Sequence, residues 1–255
     1  MRHLNLLLLL GLFLSVSCEQ EDPAKKLQEV ITSYQDHKGY DRKDFPLGMF
    51  EKQYYEAEAN FAKSKLDELA EIDANGLKET DQISLELLKF KLQDIIDFYE
   101  FERYLNPLLS DSGFHSSLNY MVRPLANYEK TKEYLNKLNA LPTFVDQHLV
   151  NLREGLERGV SQPLVIFKGY ESTYDDHIVG SFSDSYFYST YKNLPNSLSE
   201  SKKDSVLTQA RKAIEDKVIP QFKRIKEFFE SEYYPKTRKS LGVSETPGGP
   251  AYYQN

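Results

Sequence analysis

The chain has 255 residues, of which 40% are hydrophobic, 28% charged and 13% aromatic, a composition typical of a folded globular protein and not of a disordered one. Its 12 glycines and 11 prolines are few for this length and favour long helices over a strand-and-turn architecture. The formal net charge of −7, with lysines and arginines alternating with acids at helical spacing, argues against nucleic acid as a partner.

The first eighteen residues have the pattern of a secretory leader. A positively charged start precedes an apolar run at 4–14, which is too short to span a bilayer as a helix. Small residues follow, and then the only cysteine, Cys18, in a position that resembles a bacterial lipobox, although Ser15 stands where leucine is preferred. The sequence therefore predicts a leader at 1–17 and a diacylated Cys18. The alternative is a plain secreted protein with an incidental thiol.

Residues 18–24 are interpreted as an acidic tether between the lipidated cysteine and the folded region. Two acyl chains on one residue bury enough apolar surface for stable anchoring, so the folded part would lie beside a membrane without entering it. The expected location is the bacterial cell envelope, as an outer-membrane or cell-surface lipoprotein. Removal of the leader, which carries Arg2, would make the net charge −8, with 31 lysines and arginines against 39 acids.

Three helices are predicted in the first part of the folded region. The first covers Lys25–Gln35, and the second runs from Gly48 to Ile72, before the C-terminal signal Asn75-Gly76. The third follows a short connection, which predicts a helical hairpin, and begins at Thr80 as the N-cap. Its predicted core-facing residues are Ile83, Leu87, Leu88, Leu92, Ile95, Phe98 and Phe101.

The middle of the chain is less regular. The stretch Leu108–Leu118 is polar and is predicted to be an irregular surface loop. Helices are predicted at Tyr128–Asn139 and Thr143–Arg158. Leu164–Gly169 fits a strand or a helix by pattern alone, and helix is favoured because its neighbours are helical. Short helices around a loop are expected from Tyr170 to Asn196.

The longest predicted helix lies between Ser199 and Tyr233. Its apolar residues recur at spacings of three and four, and they are Leu207, Ala210, Ile214, Val218, Phe222, Ile225, Phe229 and Tyr233. Because this stripe resumes in phase after Pro220, a bend is expected there and not a break. The pair Tyr252-Tyr253 is typical of the start of a strand. We therefore expect one all-α domain, an irregular multi-helix bundle with a long kinked C-terminal helix and a short strand at the extreme C-terminus.

The sequence contains no recognisable catalytic motif. A zinc site of the thermolysin kind needs two histidines one helical turn apart, whereas the five histidines here are separated by about thirty residues or more. A Gly-x-Ser-x-Gly nucleophile and a phosphate-binding loop are missing, and acid pairs lie at spacings typical of solvent-facing helices. No catalytic, cofactor-binding or metal-binding residue is therefore assigned.

Two histidines occupy positions of interest. His148 lies among apolar residues on a predicted helix, so a partly buried, hydrogen-bonded side chain is expected there. His115 lies in the polar loop and is predicted either to line a cleft or to cap the loop. A metal site assembled from distant segments, for instance around His177 and a neighbouring aspartate, is disfavoured because adjacent residues on a helix point apart.

Four stretches carry a resemblance to a known family. They are Gly113-Phe114-His115, then Leu138 to Gly159 with its Leu-x-Glu-Gly-Leu-x-x-Gly pattern, then Val218-Ile219-Pro220, and finally the tail, with Tyr233-Tyr234-Pro235, Arg238, Leu241-Gly242, Pro247-Gly248-Gly249 and Ala251-Tyr252-Tyr253. In this order they resemble the bacterial domain-of-unknown-function 885 family over nearly the whole mature chain. Members of that family are similar to zinc metallopeptidases through a His-Glu-x-x-Pro-Gly-His-His motif in their later half, which this sequence lacks.

The resemblance implies that residues 25–255 are the helical N-terminal region of a zinc-peptidase-like envelope lipoprotein, apparently truncated and inactive alone. Zinc is expected in full-length relatives, and no cofactor is expected in this chain. The expected partners are the membrane through the lipid anchor, a peptide substrate and a missing C-terminal half. The alternative is a lipid-anchored helical binding module without catalysis, and the nucleotides after the Asn255 codon distinguish the two.

The tail predicts where a substrate would bind. In metallopeptidases of this general kind an edge strand can hold the substrate backbone, and glycines permit close approach. Gly248, Gly249, Tyr252 and Tyr253 are therefore predicted to border the substrate cleft, together with His115, where the resembling family also shows histidine. The alternative for the tail is a turn that links the long helix to a following domain.

Overall fold

The computed structural model describes residues 22–254, so the predicted leader and the lipidation of Cys18 lie outside the described residues. The α-helices are α1 (Pro23–Asp36), α2 (Lys52–Ala70), α3 (Glu79–Glu100), α4 (Tyr128–Asn139), α5 (Leu141–Glu157), α6 (Ser172–Asp175), α7 (Glu200–Ala213), α8 (Ile219–Glu227) and α9 (Gly249–Gln254). In this range the β pairing is limited to two isolated bridges, Leu108 with Gly113 and Pro163 with Arg238. The predicted all-α fold is confirmed.

Helices α1, α2 and α3 pack into a first core. Its buried apolar residues include Leu27, Val30, Ala62, Leu69, Leu85, Leu88, Leu92 and Ile96. The predicted face of α3 is wrong in part, because Ile83 and Leu87 are 63% and 54% exposed while Leu85 is buried. The helix is apolar on most sides, so spacing alone does not identify its buried face. Thr80 is not the N-cap either, because α3 begins at Glu79 after Lys78.

A second and larger core is built around a continuous helical run at 200–236. This run joins α7, a π-helical segment (Ile214–Val218), α8, a second π-helical segment (Phe228–Tyr233) and a 3₁₀ turn (Tyr234–Lys236). The helix continues through Pro220, as predicted. Pro220 lies in the first turn of α8, directly after the first π-helical segment. A π-helical turn changes the local hydrogen-bond ladder, so the missing N–H of proline can be tolerated there.

Helices α4 and α5 pack on this run and carry about half of the remaining core. The buried residues of α5 include Phe144, Val145, Leu149 and Leu152. Gly159, with φ +75, follows the helix end, and the Val160 N–H donates to the Gly155 carbonyl at 2.7 Å, which is the hydrogen bond of a Schellman motif. The predicted helices over 128–139 and 143–158 are therefore confirmed, with α5 starting two residues earlier.

The stretch Leu108–Leu118 is irregular and partly exposed, as predicted, with Leu109, Ser110, Asp111 and Ser117 at the surface, but it also contributes to the core. Leu108, Phe114, His115 and Leu118 are all buried. The polar groups are satisfied locally, because Ser116 Oγ donates to the Gly113 carbonyl at 3.1 Å and Ser117 Oγ donates to the Phe114 carbonyl at 2.7 Å. The serines of this stretch are exposed or half-buried, and their local hydrogen bonds shape the turns that carry the buried residues inward.

The remaining irregular regions agree with expectation except at the tail. Residues 164–167 form a 3₁₀ turn, and short helical segments alternate with loops from 172 to 193. In place of the expected strand at Tyr252-Tyr253, residues 249–254 form α9. The Gly249 N–H donates to the Thr246 carbonyl at 2.8 Å, which turns the chain into a helix instead of an extended segment.

Candidate functional site

A cavity of about 1350 Å³ lies between five segments of the chain. Its wall is drawn from Leu47 and Phe50, from residues 98–109 at the end of α3 and beyond it, from 111–121, from 144–162, and from the tail at 238–252. Loops and helix ends supply most of this wall. The regular helix α5 contributes Phe144 and His148 to it. The rigid part of the site is therefore α5, against which the loops are placed.

Two polar side chains of α5 fix Phe50 at the cavity. The Phe50 N–H donates to Gln147 Oε1 at 3.0 Å, and Asn151 Nδ2 donates to the Phe50 carbonyl at 2.7 Å. Gln147 and Asn151 lie one helical turn apart, so together they bind both backbone polar groups of Phe50. This holds the Phe50 ring 4.2 Å from the imidazole of His148, measured between ring centroids.

His148 lines the cavity from α5 and is 4% exposed. Its ring is stacked on Phe114 at 4.5 Å and meets Phe144 edge-on at 4.6 Å. The expected hydrogen bond is absent, because neither Nδ1 nor Nε2 has a partner in the described part of the chain. Burial, reinforced by His115, lowers the pKa of His148 to about 3, so the ring is neutral near pH 7.

Three arginines line the cavity, and one of them has no carboxylate partner in the part of the chain that the structure describes. Arg103 binds Asp94 at 2.8 Å, and Arg158 binds Glu102. The guanidinium of Arg238 donates instead to three backbone carbonyls, at 2.8, 2.7 and 2.9 Å. Since no carboxylate of residues 22–254 pairs with it, Arg238 contributes an uncompensated positive charge to the wall.

The tail contributes Gly248, Gly249 and Tyr252 to the wall. Gly248 has φ +71, in the left-handed region that favours glycine. A Cβ at Gly249 would collide with the carbonyl of Val243, so this turn requires glycine. Tyr252 packs edge-on against Phe101 at 5.5 Å, which ties the tail to the end of α3.

Two other predicted cleft residues do not line the cavity. Tyr253 is 77% exposed on α9. His115 is fully buried behind the wall, with Nε2 2.8 Å from Oγ1 of Thr173 and with Nδ1 unpartnered among the described residues. Burial, reinforced by His177, lowers the pKa of His115 to about 3. The structure thus brings Gly248, Gly249 and Tyr252 together at the cavity and leaves His115 and Tyr253 outside it.

Residues 22–254 contain no group of three or more histidine, cysteine, aspartate or glutamate side chains placed to hold a metal ion. In the same range, every helix is too short or too polar to cross a membrane.

Sequence reasoning missed most residues of the wall, and three of them matter for its geometry. Phe50 and Asn119 received no role, and His148 was expected to be hydrogen-bonded. One signal was available, because Gln147 and Asn151 are polar residues one turn apart on either side of His148, in a helix that is otherwise apolar on this face. Their partner, the backbone of Phe50, is 97 residues from Gln147 in sequence and could not be read from that pattern.

These features define an all-α protein with a cavity between the end of α3, helix α5 and the tail. The family model described as "Bacterial protein of unknown function (DUF885)" matches residues 34–255, and the chain belongs to this family, as the sequence motifs predicted. Comparisons with curated proteins and with solved structures give no match.

Proposed function

We propose that this chain is the helical substrate-recognition region of a zinc-peptidase-like envelope lipoprotein and that its cavity binds a peptide. The observation that carries the proposal is the cavity wall, which combines aromatic rings with the uncompensated charge of Arg238. Such a mixture of apolar surface and a few convergent polar groups is typical of ligand sites. A volume of about 1350 Å³ exceeds the roughly 300–1000 Å³ of drug-sized sites and suits an extended ligand.

In this proposal the chain binds a peptide without cleaving it. Peptide hydrolysis of the kind that the family resemblance implies needs a zinc ion with an activated water, and the residues that would hold zinc belong to the later half of such proteins. The cavity would bind the peptide and orient it, which is what a recognition region contributes to a hydrolase.

The absence of tryptophan from the chain makes peptide binding directly measurable. A short N-acetylated peptide with one central tryptophan and a free carboxylate carries the only indole in the mixture. We expect its emission to shift to the blue and to saturate as the full chain is added, because the indole leaves water. Mass spectrometry of the same mixture, with zinc present, should recover the peptide intact. An unshifted emission spectrum would refute peptide binding. Cleavage of the peptide would refute the proposal that the chain binds it without hydrolysis.

A matched pair of glycines tests whether the cavity is the binding place. Gly248 and Gly169 have φ +71 and +81, and a Cβ at either position meets nothing within 4 Å. Gly248 lines the cavity and Gly169 does not. Gly248→Val should therefore weaken peptide binding about tenfold or more, whereas Gly169→Val imposes the same backbone strain and should leave binding unchanged. Equal effects of the two substitutions would contradict the assignment.

The lipid anchor is a separate part of the proposal and rests on Cys18 and the residues before it. The chain expressed with its leader should sediment with membranes and should give an acylated N-terminal peptide that begins at Cys18. Cys18→Ser should release the chain to the soluble fraction, because two acyl chains are then lost. Recovery of an unmodified Cys18 thiol in the mature wild-type chain would refute lipidation.

A further inference from the structure

The guanidinium of Arg238 is fixed in the cavity wall by the backbone around it. Its Nε donates to the Ser161 carbonyl at 2.8 Å, and its Nη1 donates to the carbonyls of Ser240 and Gly242 at 2.7 and 2.9 Å. The Arg238 N–H also donates to Ser161 Oγ at 3.0 Å, which holds the main chain at this residue. Three fixed acceptors around one planar group leave it little freedom to turn, so the guanidinium is preorganised.

One nitrogen of this guanidinium is left for a ligand. A guanidinium has five N–H donors, and Nε and Nη1 of Arg238 use three of them on the carbonyls. Nη2 carries the other two and has no partner in residues 22–254. It is not one of the buried unpartnered side-chain atoms of that range, and Arg238 is only half-buried, so Nη2 is open to water. The ring nitrogens of His148, in contrast, are closed to water and to any ligand.

The surroundings of the guanidinium belong to the cavity wall as well. Ser161, which accepts from Nε, lines the cavity, and so does Val243, the residue after the acceptor Gly242. Arg238 is therefore part of the wall itself and does not lie behind it. A ligand that fills this end of the cavity meets a positive charge with free N–H donors.

The acidic residues of the wall do not neutralise this charge. Glu100 and Glu102 line the cavity, but each forms a salt bridge with another cation. Asp111 also lines the cavity, but it is exposed and does not pair with Arg238. A partner of opposite charge must then come from the ligand. A carboxylate is the anion that peptides carry, and its hydrogen bonds to a guanidinium are strengthened by both charges.

We propose that Nη2 of Arg238 binds a carboxylate of the peptide, so that the cavity selects peptides with a free carboxylate. This inference rests on the proposed function and names the group by which the wall recognises its ligand. The carboxylate comes either from the C-terminus or from an acidic side chain, and both sources offer the same chemistry. The aromatic part of the wall then contacts the apolar side chains beside it.

Three N-acetylated peptides with one tryptophan test the inference on the wild-type chain. The first has a free C-terminal carboxylate, the second is its C-terminal amide, and the third is the amide with an aspartate beside the tryptophan. We expect the second peptide to bind about tenfold more weakly than the first, because it lacks the charge-assisted hydrogen bond. Recovery of affinity in the third would assign the site to any carboxylate, and no recovery would assign it to the C-terminus. Equal affinity for all three would overturn the proposal.

The substitution Arg238→Gln shows whether this residue causes the preference. We expect the ratio of acid to amide affinity to fall from about tenfold to about one. Loss of the three carbonyl contacts can also loosen the tail, but that effect weakens both peptides alike and leaves their ratio unchanged. A ratio that stays near tenfold would overturn the proposal. If Arg238→Gln binds neither peptide, Arg238→Lys decides, because it keeps the charge and should still prefer the acid; equal binding of acid and amide by Arg238→Lys would overturn the proposal.

Arg42→Gln is the matched control. Arg42 is exposed and does not line the cavity, so this variant loses the same charge from another place on the chain. Its acid-to-amide ratio should equal that of the wild type. A fall equal to that in Arg238→Gln would show that the preference follows net charge and would overturn the assignment. The proposed function fails separately, because it fails only if the wild-type chain binds none of the three peptides, which would overturn this inference as well.

Discussion

Replacing Phe229 by alanine is expected to lower the free energy of unfolding by about 3–5 kcal/mol, the range for large aromatic truncations in a core that cannot collapse. Phe229 has 0% exposure and lies in the second π-helical segment. Its ring contacts those of His115, Phe167, Tyr170, Tyr174, Phe228, Tyr233 and Tyr234, with centroids 5.4–6.2 Å apart. These rings come from several segments, so its removal leaves a cavity that no single side chain can fill.

Urea unfolding followed by tyrosine circular dichroism measures this loss, and Phe90→Ala is the matched control. Phe90 is 72% exposed on α3, so the same substitution should change stability by less than about 0.5 kcal/mol. A loss below about 1.5 kcal/mol in Phe229→Ala, with an unchanged denaturant slope, would mean that the aromatic cluster rearranges around the gap.

The register of the long helix could be predicted because its apolar residues keep one phase from Leu207 to Tyr233, over about seven turns. Val218, Phe222 and Phe229 were placed on the core face by spacing alone, and all three are buried. The face of α3 could not be predicted in the same way, since Ile83, Leu87 and Phe90 form a stripe of their own that the structure leaves exposed. Spacing determines a face only where the opposite face is polar.

The cavity could be predicted only in part, for a related reason. Gly248, Gly249 and Tyr252 were identified from a local motif, and they do meet at the cavity wall. Whether the imidazole of His148 is hydrogen-bonded depends on Phe50 and Phe114, which lie far from it in sequence. Both rings pack on the imidazole, and neither can form a hydrogen bond with it. A local pattern predicts burial, whereas an unsatisfied hydrogen bond is a property of the whole packing.

Lowering the pH from about 7.5 to about 5 is expected to reduce the free energy of unfolding by about 4 kcal/mol through two histidines alone. His115 and His148 have pKa values of about 3 in the folded chain, against 6.5 for an ordinary histidine. The unfolded chain therefore binds protons first. Stability is fully retained above about pH 6.5 and is lost progressively as the pH falls toward 3, at about 2 kcal/mol per histidine by pH 5.

The carboxyl groups with shifted pKa values do not contribute to the loss of stability between about pH 7.5 and 5. The carboxyl groups of Glu71, Asp216 and Glu232 have pKa values lowered by their cationic partners. Their contribution to the free energy of unfolding is therefore lost only below about pH 4.5. Burial also lowers the pKa of His177, which acts in the same direction as the two other buried histidines. Urea unfolding at several pH values between about 7.5 and 5 isolates the histidines as a group.

The variant His148→Phe divides the effect between the two rings. It removes one proton site, so about half of the pH-dependent loss should disappear, while His115 continues to titrate because it is fully buried behind the cavity wall. If the free energy of unfolding falls equally with pH in the wild type and the variant, His148 must be able to take up a proton in the folded state. That result would mean that water enters the cavity and solvates the imidazole edge, which would raise its pKa and supply the hydrogen-bond partner that the aromatic surround denies it.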